Sequence, residues 1–338
     1  MLQNILQGSR LPAADRRSRL NVMCQDLTPI KGLSGQINTI GRKRMTDARK
    51  PEWLKIRLEA AGEYPAVRGR LRSLKLHTIC EEAKCPNQSE CWGGGTATVL
   101  LMGDECTRGC RFCAVKTANP RRVLDRDEPI RVAEGVRQSG LTYVVLTSVD
   151  RDDLYDGGAA HIARTVTEIK RSCGALVEVL MPDFRGSRES LDTVIASGAD
   201  VLAHNIETVR RLTPSVRDSR ATYDQSIDVL RYLKKSSGRP TKSSIMVGLG
   251  ETAEEVLETL EDLRRADVDA VTLGQYLRPT MKHLPVKEFI SPDRFRDYER
   301  SAREMGFRMV ASGPFVRSSY RAGELYLEGL VRGAAASM

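Results

Sequence analysis

Six of the eight cysteines lie within residues 80–113, and their spacing constrains this chain more than any other feature. Cys80, Cys85 and Cys91 form C-x4-C-x5-C, while Cys106, Cys110 and Cys113 form C-x3-C-x2-C with aromatic Phe112 just before the last. Cys24 and Cys173 stand apart and read as plain thiols. With no secretory apolar segment we expect a reducing, cytosol-like compartment, and a large α/β domain needs no staples, so disulfides are disfavoured. Zinc competes more seriously. Structural zinc wants four ligands in a closed tetrahedron, commonly as C-x2-4-C pairs. Each group here has three cysteines, and His77 is the only nearby imidazole. Iron–sulfur clusters accept thiolates and tolerate a fourth position that is non-cysteine or open, so two triplets point to two clusters.

The rest of the chain supplies a scaffold for them. From residue 96 short apolar, β-branched runs alternate with amphipathic stretches, predicting strands over 96–102, 142–147, 176–181, 201–203, 244–247, 270–273 and 308–311. Thr252 with Glu255 forms a capping box, after which Val256, Leu260 and Leu263 share one face. Ser291 followed by Pro292 opens another helix, and Gly306 stops it. Strict alternation implies a parallel sheet with helical crossovers. There is no Gly-x-Gly-x-x-Gly after the first strand, so a dinucleotide fold has little support. We expect an α/β fold: a partial, open TIM-type β/α barrel over residues 96–312. A cluster-binding N-terminal extension would occupy 51–95, and a short C-terminal segment 313–338. The triplet at 106–113 follows the first barrel strand, which puts it at the C-terminal mouth where barrel active sites sit.

Charge narrows the function further. The net charge is +9, yet residues 1–50 alone hold ten Lys or Arg against three Asp. That leader carries no Phe, Tyr or Trp, so it lacks the stacking surface of a single-strand binder, and we expect no nucleic-acid partner. It reads as a flexible basic leader, with an organelle-targeting segment as the alternative. Localisation is therefore cytoplasmic, or the mitochondrial or plastid matrix on the alternative reading. No run of about 18 apolar residues occurs, so no membrane span is expected.

C-x3-C-x-aromatic-C after the first strand of a β/α barrel resembles the radical S-adenosylmethionine superfamily. The resemblance implies that Cys106, Cys110 and Cys113 hold a 4Fe–4S cluster whose open iron binds S-adenosyl-L-methionine and cleaves it to a 5′-deoxyadenosyl radical. The second triplet narrows the likeness. Cys-Glu-Glu-Ala-Lys-Cys-Pro-Asn-Gln-Ser-Glu-Cys-Trp at 80–92 is similar to the auxiliary-cluster motif of the lipoyl synthase family. So are Ser-Val-Asp-Arg-Asp-Asp-Leu at 148–154 with Asp-Gly-Gly at 156–158, Met-Val-Gly-Leu-Gly-Glu-Thr at 246–252, and Gly-Pro-Phe-Val-Arg-Ser-Ser-Tyr at 313–320. The likeness covers roughly residues 50–323 and shows no departure at the cluster positions.

That resemblance implies a serine as fourth ligand of the auxiliary 4Fe–4S cluster, Ser319 in preference to Ser318. The residues alone would read there as a capped turn. It implies insertion of two sulfur atoms at C6 and C8 of an octanoyl chain linked to a carrier lysine, with the auxiliary cluster consumed as sulfur donor. The carriers would be E2 subunits of 2-oxoacid dehydrogenases and the glycine cleavage H protein. An electron donor such as ferredoxin or flavodoxin and a cluster-repair donor would complete the partners.

Residues 244–251 resemble the superfamily's G-x-I-x-G-x-x-E stretch, with Ser and Met replacing Gly and Ile. Gly248, Gly250 and Glu251 would then line the adenosine and methionine site, an ordinary strand-to-helix turn being the alternative. Asn205 and Glu207, after the fourth strand, are candidates for ribose or methionine groups, and Phe112 for packing beside the cofactor. The acidic loop at 150–158 reads as a shaper of the mouth or a partner for arginines, and His77, His161 and His283 as structural or surface groups. Two other functions remain open: a methylthiotransferase or similar sulfur-inserting radical enzyme, and a non-enzymatic zinc module. The zinc module would need paired C-x2-C sites and a basic face, and the sequence shows neither.

Overall fold

Each apolar, β-branched run becomes a strand, and the connections between them become helices. A computed structural model describes residues 50–54, 64–74, 76–82, 85, 87–324 and 326. The leader apart from Lys50, and residues 327–338, lie outside the described residues. The described chain falls within one compact unit, Asp47–Met338. Ahead of the barrel come α1 (Tyr64–Ser73), β1 (His77–Thr78), α2 (Ile79–Glu82) and α3 (Gln88–Gly93). Then follow β2 (Thr96–Leu101), the short pair β3 (Glu105–Cys106) and β4 (Lys116–Thr117), α4 (Glu128–Gln138), β5 (Tyr143–Ser148), α5 (Ala159–Cys173) and β6 (Leu176–Leu180). The second half holds α6 (Arg188–Ala196), β7 (Val201–Ala203), α7 (Thr213–Val216), α8 (Tyr223–Ser237), β8 (Thr241–Val247), α9 (Ala253–Arg265), β9 (Ala270–Gln275), α10 (Pro292–Glu304) and β10 (Met309–Gly313).

Eight of the strands form one sheet in the order β1-β2-β5-β6-β7-β8-β9-β10, and β3 pairs with β4 in a small separate one. Only β1 on β2 is antiparallel; every later neighbour is parallel, as helical crossovers require. β1 and β10 are the two ends of the sheet, so the barrel is open, as expected from seven strand–helix repeats. Some features escaped the sequence pattern. β1, β3 and β4 are each two residues long, too short for periodicity to register. β8 starts at Thr241, earlier than its apolar run, because Lys242 is a strand residue buried by pairing with Glu178 at 2.9 Å rather than by being apolar.

Strand alternation divides the core. Val144 and Leu146 of β5 and Val177 and Val179 of β6 face Ile162, Val166 and Ile169 of α5, all at most 1% exposed. Truncating one of these, Leu146→Ala for instance, should cost about 2–5 kcal/mol. The other face of β5 points inward, where Tyr143 donates to Glu178 at 2.9 Å and Ala322 and Tyr326 pack against Tyr143. The expected caps are present. Thr252 and Glu255 make both halves of a capping box, Ser291 caps α10, and Gly306 follows that helix at φ +90°.

Candidate active site

The loop after β2 carries the first triad, and a buried charge lattice fixes it. Arg108, inside the C-x3-C spacing, has a side chain only 2% exposed. Its guanidinium donates twice to Asp183, at 2.8 Å each, and twice to Asp152, at 2.9 and 3.0 Å, with Asp150 at 3.3 Å. Asp152 also meets Arg185 and Arg220, so the acidic loop does pair with arginines. Arg108 holds Asp183 down to about 2 against the effect of burial, whereas burial and the neighbouring carboxylates push Asp150 up to about 6 despite Arg108.

Backbone N–H groups aim at the sulfurs. Cys106 Sγ accepts from Arg108 N and Asp150 N at 3.4 and 3.3 Å, and Cys110 Sγ from Asp218 N at 3.3 Å. Arg111 N donates to Val216 O at 2.9 Å, and His283 Nε2 donates to Cys113 O at 2.9 Å. His283 therefore braces the cysteine loop, a role no spacing revealed. Burial pushes Cys110 up to about 11 and Cys113 up to about 12, with Cys106 and Cys110 adding to the effect on Cys113. Three such thiols lose their protons together only if a cation gathers them.

Next to this loop lie the residues expected from the 205–207 and 244–251 stretches. Asn205 Nδ2 donates to Glu207 Oε1 at 3.1 Å, and Glu207 sits at φ +68°, bridged to Ile245 beyond the end of β7. Burial raises the Glu207 carboxyl, and Arg217 opposes that rise. Phe112 packs with Val216, Leu249 and Tyr276, so the cysteine loop, the end of α7 and the 248–250 turn share one apolar wall. Gly248 has an internal reason to be glycine: at φ +100°, a Cβ would stand 2.2 Å from Gln275 Nε2 and 2.5 Å from Glu288 O. Glu251 accepts from Gly248 N and from Leu249 N, the latter at 2.9 Å, so its carboxylate holds the turn itself.

Arg217 is a candidate site residue that the sequence did not disclose. Its Nη1 donates to Ser226 Oγ at 2.7 Å while its buried Nε has no partner among the described residues. Its charge is felt at Cys110, Glu207 and Asp150. His204 Nδ1 faces Met181 O at 2.9 Å and must donate there, so Nε2 accepts from Ser226 Oγ at 2.9 Å. Burial, then Arg217, pushes His204 down to about 4, keeping it neutral.

The second triad lies in a separate pocket. Cys80, Cys85 and Cys91 line it together with Asn87, Thr96, Thr98, Arg317, Ser319 and Tyr320. The expected serine is thus beside the expected cysteines. Ser319 Oγ accepts from Thr98 Oγ1 at 2.8 Å, Asn87 Nδ2 donates to Phe315 O at 2.6 Å, and Tyr320 OH donates to Glu90 Oε1 at 2.8 Å. Burial pushes Cys80 up to about 11 and Cys91 up to about 12. All six thiols are free. Among the described residues no three His, Cys, Asp or Glu side chains converge on a point where one ion could sit. Triads that feel each other's charge yet stand apart suit a group of several atoms, and an all-sulfur donor set with one hydroxyl suits iron–sulfur chemistry.

The Radical SAM superfamily matches residues 100–263, and the N-terminal domain of lipoyl synthase matches residues 31–85. The chain is 57% identical over 284 residues to the lipoyl synthase of Anaeromyxobacter dehalogenans, covering 84% of this chain and 97% of that protein. Identity to the lipoyl synthase of Thermus thermophilus is 54% over 295 residues, covering 86% and 91%. Identity to the mitochondrial lipoyl synthase of Ostreococcus lucimarinus is 56% over 289 residues, covering 84% and 72%. Among solved structures, methylornithine synthase superposes with a TM-score of 0.50 at 17% identity, covering 73% of this chain and 74% of that one, which speaks to the fold alone.

Proposed function

The chain belongs to the lipoyl synthase family of the radical S-adenosylmethionine superfamily, and on that premise we propose which of its residues carry the chemistry. It is a radical S-adenosylmethionine sulfur-inserting enzyme that adds two sulfur atoms, at C6 and C8, to a protein-bound octanoyl-lysine, and its cofactors are S-adenosyl-L-methionine and two 4Fe–4S clusters. It acts on octanoylated carrier proteins. The observation that carries the residue assignment is the separation of the cysteines into two triads, one on the loop after β2 and one in a pocket with Ser319.

When bound, the first cluster and S-adenosylmethionine supply the hydrogen-abstracting radical, and the second cluster supplies sulfur. Cys106, Cys110 and Cys113 hold the first group, with the N–H bonds from residues 108, 150 and 218 spreading the charge on the sulfurs. Arg217 offers its free Nε edge to the carboxylate of S-adenosylmethionine, oriented by Ser226 and a neutral His204. Asn205 and Glu207 receive its amino or ribose groups, and the backbone of Gly248 and Gly250 lies alongside. Phe112, Leu249 and Tyr276 exclude water from the reacting centre. Cys80, Cys85, Cys91 and Ser319 hold the second group.

The four-part division at residues 50, 95 and 312 fits this assignment, with the extension and the C-terminal segment supplying the second triad and its serine. The preferred carriers are E2 subunits of 2-oxoacid dehydrogenases and the glycine cleavage H protein. A ferredoxin or flavodoxin delivers electrons, and a repair donor rebuilds the consumed cluster. The compartment is reducing: the cytoplasm, or an organelle matrix as for the mitochondrial relatives.

Anaerobic reconstitution tests the assignment, with iron and sulfide counted for wild type and for the Cys80→Ala/Cys85→Ala/Cys91→Ala variant. Wild type should hold about two four-iron clusters and convert octanoyl-lysine peptide to lipoyl peptide. The variant should keep one cluster and still form 5′-deoxyadenosine, with no thiolated product. A variant that retains both clusters, or one that loses 5′-deoxyadenosine formation, refutes the division of labour.

A further inference from the structure

Of the residues around the second triad, Arg317 is the one whose surroundings lack something. Among the described residues the pocket is lined by three thiols, a hydroxyl-bearing wall (Thr96, Thr98, Ser319, Tyr320), Asn87 and one cation, Arg317. Other arginines near the cysteines are matched: Arg321 pairs with Glu324, and Arg68 and Arg72 share Glu81. Arg317 has no carboxylate within ion-pair distance among the described residues. Its Nη1 instead donates to the carbonyl of its neighbour Val316 at 2.7 Å. Turned back on its own backbone, Arg317 lines the same pocket as Cys80, Cys85, Cys91 and Ser319.

The fold holds this geometry in place from the far side. Gly274 on β9 abuts the same carbonyl: a Cβ there would stand 2.1 Å from Val316 O and 3.5 Å from Arg317 Nη1. Only glycine lets β9 approach the 316–317 turn this closely. A cation placed in a partly desolvated pocket costs several kcal/mol unless an anion joins it. Three thiolates and an alkoxide around a cluster make such an anion, and bare thiols do not.

We propose that Arg317 is the built-in counter-charge of the auxiliary site, a positioning residue whose guanidinium compensates the anionic group held by Cys80, Cys85, Cys91 and Ser319. The proposal rests on the reading that these four residues hold a cluster. It explains why a site joining two chain-distant segments takes a cation from the segment that also brings Ser319. The cation and the fourth ligand then arrive and leave together.

The test compares the full-length reconstituted enzyme with Arg317→Gln and Arg317→Lys. Auxiliary-cluster reduction is followed spectroscopically at fixed applied potentials, and iron release to a chelator is timed for each cluster. With the charge removed, the reduced-to-oxidised ratio of the auxiliary cluster should fall about tenfold at a given potential, equivalent to ~59 mV for one electron. Its iron should leave about tenfold faster, while the other cluster is unchanged and Arg317→Lys recovers most of both effects. Failure of Arg317→Gln to take up the auxiliary cluster, with the other cluster intact and uptake restored in Arg317→Lys, gives the same answer. Equal potential and equal iron release in Arg317→Gln overturn the proposal, as does a defect that Arg317→Lys shares in full or that extends to both clusters. A wild-type enzyme with no second cluster would instead defeat the reading beneath it.

Discussion

The two triads are built on opposite plans. Around Cys106, Cys110 and Cys113 the supports come from several strand-end loops of one sheet and include a fully buried arginine shared by three carboxylates. Around Cys80, Cys85 and Cys91 they come from the N-terminal extension, β2 and the segment after β10, joined by hydrogen bonds between residues 221 to 230 positions apart. The first plan makes a seat whose shape is overdetermined. The second makes a clasp, two distant segments meeting at one pocket. On the proposed assignment, the group that keeps its atoms through each turnover is the one served by the first plan, and the group that hands sulfur to the substrate has a wall that would part and close again.

The strongest way to break that contrast is at Arg108. Arg108→Met should destabilise the protein by about 3–5 kcal/mol, because it takes the paired cation from the desolvated carboxylates of Asp150 and Asp183, while Asp152 keeps Arg185 and Arg220. Chemical denaturation of the cluster-free protein measures it. Under conditions where the variant is still folded, the cluster on Cys106, Cys110 and Cys113 should be the one lost. A variant that loses the auxiliary cluster first would show that the lattice is not specific to its own triad.

Acid probes the same side more gently. The folded state holds His204 near 4, below its ordinary value, so the unfolded chain binds the proton more readily. Its stabilising contribution is fully present above about pH 6.5 and is lost as pH falls toward 4, by about 3 kcal/mol in all. Asp150, raised to about 6, has the opposite sign, favouring the fold on acidification. The difference between wild type and His204→Gln in urea titrations at pH 7.5 and 5 isolates the histidine. The gap in stability should shrink at the lower pH, and a constant gap would remove His204 as the neutral orienter of Ser226 and Arg217.

What the sequence disclosed divides along the same line. Chemistry that recurs at fixed spacing was legible: both cysteine triads, the capping box at Thr252, and the strands whose residues are apolar on both faces. Chemistry assembled by the fold was not. Arg217 and His204 are unremarkable in the chain and gain their meaning from Ser226 on α8. Lys242 hid a strand end because a buried lysine looks like a surface one until Glu178 is found opposite. Gly248 and Glu251 were expected to serve a ligand, and both also have work inside the fold, against Gln275 and on the turn's own N–H groups. Ser319 came from resemblance alone, and the pocket gives it a physical setting beside Thr98.

The smallest test falls on the clasp. Tyr320 OH donates to Glu90 across a sequence separation of 230 residues, at a half-exposed place where water can replace either partner. Tyr320→Phe should therefore cost only about 0.5–1.5 kcal/mol of overall stability. If the auxiliary wall opens by parting these two segments, the same small change bears wholly on that opening. Iron release from the auxiliary cluster to a chelator should quicken by roughly two- to tenfold, which is what such an energy amounts to when it acts on one step. The other cluster, braced by separate loops, should release iron at the wild-type rate. Equal acceleration at both sites would mean that the variant loosens the whole barrel, and the distinction between seat and clasp would then be one of sequence distance only.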